Sequence, residues 1–240
     1  MELLLLVLLP AVLASLVQGI TGFGSAIVLM IFLPSILPIP QSAGVASLIM
    51  SVANLMMAWH YRKALKVKRI IGPFIVYGLV AFLSLKLGSA LDVKVLKMLL
   101  GGLLLCLSIY FLFFKSLGNG RKYPIYVALI FMIISGFFNG LFGIGGPLMA
   151  MYFLSLAKNK EEYLASIQTF FLIDQVYITT VRFASGILTT SDIKFILIGI
   201  VGGVIGTMIA NRITKHMNIN MIEKSVFSFI GLSGIYYLFK

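Results

Sequence analysis

Long apolar segments separated by short charged loops dominate this sequence. Six of them have about the 20 residues that one α-helix needs to cross a bilayer. They lie near 41–61, 70–90, 94–114, 163–182, 193–211 and 222–239. Of the 240 residues, 60% are hydrophobic and 11% are charged, whereas soluble domains are about 25% charged. The sequence therefore predicts an all-α, polytopic membrane protein that has the lipid bilayer as its solvent.

Two further apolar stretches, 3–38 and 123–156, are too long for a single crossing. A continuous helix of about 35 residues would exceed about 50 Å at 1.5 Å per residue. Glycines interrupt both stretches near the middle, at Gly19, Gly22 and Gly24 in the first and at Gly140, Gly143, Gly145 and Gly146 in the second. Glycine allows backbone conformations that end a helix, so each stretch is predicted to be a glycine-broken helical hairpin.

The two broken stretches belong to an internal duplication. At an offset of 121, the glycines pair as Gly19 with Gly140, Gly22 with Gly143, and Gly24 with Gly145. The flanking polar residues pair as Gln18 with Asn139 and Asn54 with Gln175. Duplicated multi-span units are typical of secondary transporters. We expect a first transmembrane repeat at 1–119 and a second at 120–240, each a broken hairpin plus three spanning helices.

The distribution of basic residues predicts the orientation of these repeats. If each broken stretch returns to its own side or crosses twice, the second repeat is inverted. One side then carries 13 basic residues and the other 6, against 11 and 8 if each stretch crosses once. The smaller group is Lys86, Lys94, Lys97, Arg182, Lys194 and Lys240. Basic loops face the cytoplasm, so we expect inverted repeats in a cell inner membrane with both termini outside.

The residues after each break favour an anion-binding site. Ser25 is expected to cap a half-helix running to Leu37, and Gly146 to cap a half-helix that begins at Pro147 and runs to Leu156. The N-terminus of a helix carries free N–H groups and a partial positive charge, which together bind anions. The alternative is that the glycines only allow the helices to pack closely.

Polar residues within the apolar segments are the second group of functional candidates. Gln18, Asn54, Asn139 and Gln175 are expected to donate hydrogen bonds to a substrate. Asp174 is a carboxylate in an apolar run, which is costly in lipid and marks a functional candidate. Three interpretations stay open for Asp174: it carries a proton, it pairs with Arg182 two helical turns later, or it lies at a shallower, wetter depth.

Several other classes of function lack the residues that they need. The basic loops account for the net charge of +12, so we expect no nucleic acid partner. His60 and His216 are the two histidines and Cys106 the one cysteine, so we predict no metal site, and Cys106 is expected to be a small core residue. The sequence has no recognisable nucleophile with a neighbouring general base, and no cofactor motif, so we predict neither an enzyme nor a cofactor. Gly199, Gly202, Gly203 and Gly206 indicate helix packing.

The paired glycine signatures resemble those of the TauE/SafE family of membrane anion exporters. Gly19 to Ser25 is similar to the first copy and Gly140 to Pro147 to the second. The resemblance implies export of sulfite or an organosulfonate, driven by an ion gradient. The predicted substrate-binding residues are Gln18, Gly19, Gly22, Gly24, Ser25, Asn54, Asn139, Gly140, Gly143, Gly145, Gly146, Pro147 and Gln175, with Asp174 as the proton-coupling residue.

The leading hypothesis is therefore a secondary transporter that exports a small anion by alternating access. A passive anion channel is the alternative, and an intramembrane enzyme is a weaker one. The sequence leaves open whether a proton or a sodium ion is the coupling partner, and whether the chain forms a homo-oligomer.

Overall fold

The computed structural model describes residues 4–114, 123–213 and 219–239, which form an all-α fold. The helices are α1 (Leu9–Thr21), α2 (Ser25–Phe32), α3 (Ile39–Tyr61), α4 (Lys68–Ala90), α5 (Val93–Ile109), α6 (Ile125–Phe142), α7 (Gly146–Leu156), α8 (Lys160–Ala184), α9 (Ile193–Ile213) and α10 (Ile219–Phe239). The predicted repeat boundary at 119/120, both chain ends, and the loop residues Lys115, Arg121, Lys122 and Lys215 lie outside the described residues.

The prediction of a polytopic helical membrane protein is confirmed. In the described part of the chain, six helices are long and apolar enough to cross a membrane: α3, α4, α5, α6, α8 and α9. Large apolar side chains cover the outer surface of the bundle, among them Leu79 on α4, Leu197 on α9 and Phe239 on α10. Lipid solvates such side chains, so an exterior of this kind is stable only in a bilayer.

The two glycine breaks have the same local geometry. Gly22 follows α1 with φ 84° and Gly143 follows α6 with φ 70°, both in the left-handed region that glycine adopts without strain. The N–H of Gly22 donates to the carbonyl of Gln18 at 2.7 Å, and the N–H of Gly143 donates to that of Asn139 at 2.8 Å. Each helix therefore ends in the same left-handed cap.

The half-helices after the breaks begin one residue away from the predicted caps. Gly24 caps α2 and Gly145 caps α7, so Ser25 and Gly146 are the first helical residues. The expectation that α2 runs to Leu37 is wrong, since α2 ends at Phe32 and a tight turn over Leu33–Ser35 follows. Pro34 lies in this turn and has no N–H to continue an α-helix.

Helix pairing is symmetric between the two halves of the chain. The first-half helix α1 packs on α9, and its second-half counterpart α6 packs on α4. Two further contacts join corresponding helices directly, α3 with α8 and α5 with α10. Each half is therefore packed mainly through the other half, so neither has a complete interior of its own.

Small residues occupy the helix crossings, which confirms the packing interpretation of the α9 glycines. A Cβ atom at Gly202 would lie 2.6 Å from the carbonyl oxygen of Leu8, just before α1. At the crossing of α5 and α10, a Cβ at Gly101 would lie 2.8 Å from the carbonyl oxygen of Gly234. Such close backbone approach is the usual means of helix association in lipid.

The prediction that Cys106 is a small core residue is wrong, because this side chain is exposed on α5.

The α5–α10 crossing can be tested with two adjacent glycines. Gly101→Val is expected to lower the free energy of unfolding by about 1–3 kcal/mol, because backbone atoms of α10 cannot move away from the new side chain. At Gly102 an added Cβ meets nothing within 4 Å, so Gly102→Val should change stability by at most about 0.5 kcal/mol. Thermal unfolding in detergent, followed by size-exclusion chromatography, measures both. Equal losses in the two variants would refute the close crossing.

Candidate substrate site at the meeting point of two broken helices

A small central cavity of about 40 Å³ lies where the two glycine breaks meet. The starts of α2 and α7 contribute to its wall, together with side chains from α1, α3, α4, α6 and α8. Eleven of the predicted residues line it: Gln18, Gly24, Ser25, Asn54, Asn139, Gly143, Gly145, Gly146, Pro147, Asp174 and Gln175. Residues that are up to 157 positions apart in sequence, from Gln18 to Gln175, are thus brought to one place.

Three of the predicted residues do not line this cavity. Gly19 faces Ala210 on α9, and Gly140 faces the backbone of α4 at Ala81, so both are helix-packing glycines. Gly22 is enclosed by Tyr163 and Leu164 of α8, and it contributes its left-handed backbone to the break. The glycine signature therefore combines two roles: some members make the helices cross closely, and others form the cavity wall.

The N-termini of α2 and α7 both reach the cavity. Gly24, Ser25 and Ala26 line it from one side, and Gly145, Gly146 and Pro147 from the other. The first-turn N–H groups of a helix have no acceptor within the helix, and they carry its partial positive charge. Two helix N-termini at one cavity provide donors for a negatively charged group without a lysine or arginine in the lining.

A cluster of side-chain amides closes one end of the cavity. The Gln18 Nε2 group donates to Asn54 Oδ1, and also to Gln168 Oε1 at 3.1 Å. Gln168 in turn donates through Nε2 to the carbonyl oxygen of Gly22 at 2.8 Å. All three amides are buried, with exposures of 2% or less. The cluster ties α1 and α3 of the first half to α8 of the second.

Asp174 is buried at the cavity and accepts two hydrogen bonds. Asn139 Nδ2 donates to Oδ1 at 3.0 Å, and the Tyr77 hydroxyl donates to Oδ2 at 3.4 Å. With 4% of its surface exposed, Asp174 is not at the shallow, wet depth that was one interpretation. A carboxylate in this position makes the cavity sensitive to charge, because a second anion is repelled unless Asp174 is protonated.

The direct pairing of Asp174 with Arg182, one of the three interpretations, is not found in the structure. Within the described residues, ion pairs link Glu162 to Lys66 and Arg69. Arg182 is fully buried, and its Nη2 donates to the carbonyl oxygens of Asn139 and Gly140 at 3.2 and 3.1 Å. Arg182 thus caps the carbonyl end of α6, where a cation stabilises the helix dipole. Because Arg182 is buried within the protein, counting it as a loop charge in the prediction of orientation was wrong.

Sequence reasoning missed several residues of the cavity wall. Tyr77, Ser47 and Met50 line it from α4 and α3, and Phe23 and Phe171 supply aromatic surface. Tyr77 and Phe171 lie in long apolar runs, where nothing in the sequence distinguishes an inward side chain from one that faces lipid. Ser47 could have been found from the sequence, because it is a polar residue in an apolar run and lies 121 positions before another one, Gln168.

Two side-chain oxygens at the cavity have no hydrogen-bond partner among the described residues. They are Oε1 of Gln18 and Oε1 of Gln175. Buried polar atoms normally have partners, and an amide that turns by half a rotation offers N–H donors in place of its oxygen. Gln175 is therefore suited to bind a polar ligand that enters the cavity, whereas Gln18 is held by its bonds to Asn54 and Gln168.

A helical membrane protein in which two broken helices meet at a polar cavity has the architecture of a membrane transporter. Residues 7–237 match the family model described as sulfite exporter TauE/SafE. The chain therefore belongs to the TauE/SafE family, as the glycine signatures predicted. No curated protein and no solved structure matches it. Membership identifies a multi-pass membrane transporter and suggests a sulfite or related anion as the exported substrate.

Proposed function

We propose that this protein exports a small oxyanion across the cell inner membrane by alternating access, and that the central cavity is its substrate site. The observation that carries the proposal is the arrival of two helix N-termini, those of α2 and α7, at one cavity whose lining includes polar side chains. Anions bind at helix N-termini because backbone N–H groups and the helix dipole act together there. The amides of Asn54, Asn139 and Gln175 add side-chain donors around the same space.

The size of the cavity favours a compact substrate. About 40 Å³ is room for a few water molecules, since about 10–15 Å³ of cavity volume is enough for one. A sulfite ion is closer to this volume than an organosulfonate that carries a carbon chain. The cavity must expand more for the larger anion, so we expect sulfite to be transported in preference to sulfoacetate.

The membrane arrangement that fits this function is a pair of inverted repeats, 1–119 and 120–240, with both termini outside. The symmetric packing of α1 on α9 and of α6 on α4 supports a two-fold relation between the halves. In transporters of this design, one half moves against the other around a fixed site. Such movement exposes the cavity to the two sides of the membrane in turn.

Flux measurements on purified protein in liposomes test the proposal. Uptake of radiolabelled sulfite should saturate with concentration, and unlabelled sulfite on the opposite side should accelerate it by counterflow. Both are properties of a carrier. Unsaturable current that depends on voltage alone would favour a passive channel, and no anion flux in demonstrably folded protein would refute an anion transporter.

Asp174 is proposed to couple protonation to anion binding. A protonated Asp174 removes a negative charge from the cavity, so transport should increase as the pH falls. In Asp174→Asn the side chain is neutral at every pH, and the pH dependence of flux should disappear. Sulfoacetate is the substrate to use near neutral pH, because sulfite itself changes charge there.

Asp192→Asn is the matched control for this experiment. Asp192 is also a buried carboxylate, but it accepts hydrogen bonds from Gln41 and the Thr189 backbone, away from the cavity. Its replacement should leave the slope of flux against pH unchanged. If Asp174→Asn keeps the wild-type pH profile, Asp174 has no role in coupling.

A further inference from the structure

A second and larger cavity lies between the end of α1, the last turns of α3 and the first turns of α8. Its volume is about 390 Å³, and we name it the basic-side vestibule. The lining residues used below include Gly19, Met57, Tyr61, Lys160 and Leu164. We propose that the vestibule binds the transported anion before it reaches the central cavity. This inference rests on the proposed function.

The amide cluster of Gln18, Asn54 and Gln168 adjoins the central cavity, which Gln18 and Asn54 line. Each amide has a vestibule residue close by in sequence. Gly19 follows Gln18 directly, Met57 is three residues after Asn54, and Leu164 is four residues before Gln168. Residues three or four apart in a helix lie on the same face, one turn from each other. On α3 the vestibule wall at Met57 is therefore about one helical turn from the central cavity at Asn54.

The mouth of the vestibule has the chemistry to collect anions. Lys160 is exposed there, and the adjoining loop carries the exposed Arg62 and Lys63. A cleft lined by charge of one sign raises the local concentration of oppositely charged ligands. The same loops are those that the positive-inside rule assigns to the cytoplasm, the side from which an exporter takes its substrate.

The corresponding position in the other half of the chain is filled. Tyr61 lines the vestibule, and its counterpart at the offset of 121 is Arg182. Arg182 is fully buried against the end of α6 and bonded to the Asn139 and Gly140 carbonyls. The protein is thus open beside α1 and closed beside α6, as expected of a carrier that exposes its site to one side at a time.

Cysteine modification tests the vestibule. Cys106→Ser removes the one native cysteine, which is exposed. Met57→Cys and Met56→Cys then report from the vestibule wall, and Lys63→Cys reports from the exposed loop beside it. The probes are two membrane-impermeant methanethiosulfonates, one with a sulfonate and one with a trimethylammonium group. The competing anion is sulfoacetate, because sulfite reacts with these reagents.

Modification at position 57 should occur from the same side of the membrane as at position 63. Sulfoacetate should slow it at position 57 and not at position 63. The ratio of anionic to cationic reagent rates at position 57 should fall at least about three-fold in Lys160→Gln, because loss of the positive charge slows the anionic reagent and speeds the cationic one. If Met57→Cys does not fold, Met56→Cys replaces it as the reporter in the vestibule wall.

Two outcomes would overturn the proposal, and they differ in what else they overturn. If neither cysteine reacts, or sulfoacetate gives no protection while sulfoacetate flux persists, the vestibule is not an anion site but the transporter function stands. If no anion flux is found in any variant or in the wild type, the proposed function and the vestibule site are both rejected.

Discussion

Replacing Arg182 with leucine should reduce transport at least about 100-fold, equivalent to about 2.7 kcal/mol, and destabilise the protein by about 1–3 kcal/mol through the loss of buried hydrogen bonds. The carbonyl oxygens of Asn139 and Gly140 would both lose the Arg182 donor at the buried end of α6, and Asn139 would keep only the bond from the Gly143 N–H. Asp174, which Asn139 contacts, would also lose the nearby positive charge. Arg182→Lys keeps the charge but not the planar arrangement of donors that reaches two carbonyls, so its loss should be smaller.

A double variant separates the two contributions. In Arg182→Leu with Asp174→Asn, both charges are absent, so any recovery of the unfolding temperature relative to Arg182→Leu alone measures the charge imbalance. The remaining deficit measures the lost cap on α6. Arg212→Leu is the control, because Arg212 is exposed near the end of α9 and should tolerate the change. Wild-type flux and stability in Arg182→Leu would show that the break at Gly143 needs no cation.

Gly143→Ala should lower transport at least about ten-fold, a change of about 1.4 kcal/mol. The added Cβ would lie 3.3 Å from the carbonyl oxygen of Ala43 and 3.5 Å from Ser47 Oγ, at the wall of the central cavity. Gly143 also has a φ of 70°, where an L-residue is strained by about 1–2 kcal/mol. The variant therefore changes both the stability and the shape of the site.

Gly186→Ala isolates the effect of strain. Gly186 has a φ of 69°, almost the same as Gly143, but an added Cβ meets nothing within 4 Å. Both variants should lose a similar amount of unfolding free energy, whereas only Gly143→Ala should lose flux. Thermal unfolding and sulfite uptake, measured on both proteins, make the comparison. Similar losses of flux in the two variants would mean that backbone strain, and not the cavity wall, limits transport.

Much of the helical architecture could be predicted from the sequence, because lipid imposes simple constraints. Every spanning segment must be apolar and must satisfy its own backbone hydrogen bonds, so spans such as 70–90 are recognisable from hydropathy alone. The two breaks were recognisable because matched glycines interrupt stretches that are too long for one crossing. The part of the cavity wall that Gly24, Ser25, Gly143, Gly145, Gly146 and Pro147 form followed from the same argument, since broken backbone in a membrane must face protein or a cavity.

The roles of individual residues within those segments were less predictable. Gly140 and Gly143 belong to one signature, yet one packs against α4 and the other lines the cavity. The difference depends on which helix lies opposite. Arg182 has the sequence context of a residue at the end of a span, and its burial depends on the α6 carbonyls that come within reach.

By itself, the sequence determined the membrane environment, the spans, the duplicated breaks and the polar residues near them, because each follows from local composition and spacing. Only the tertiary structure decided that α6 packs on α4, that Tyr77 faces Asp174, and that Arg182 caps α6. These contacts join residues 42 to 97 positions apart. Lipid tails are as apolar as the protein interior, so hydrophobicity does not decide whether an apolar helix face points inward or outward. Close packing and hydrogen bonding between helices decide which side chains meet.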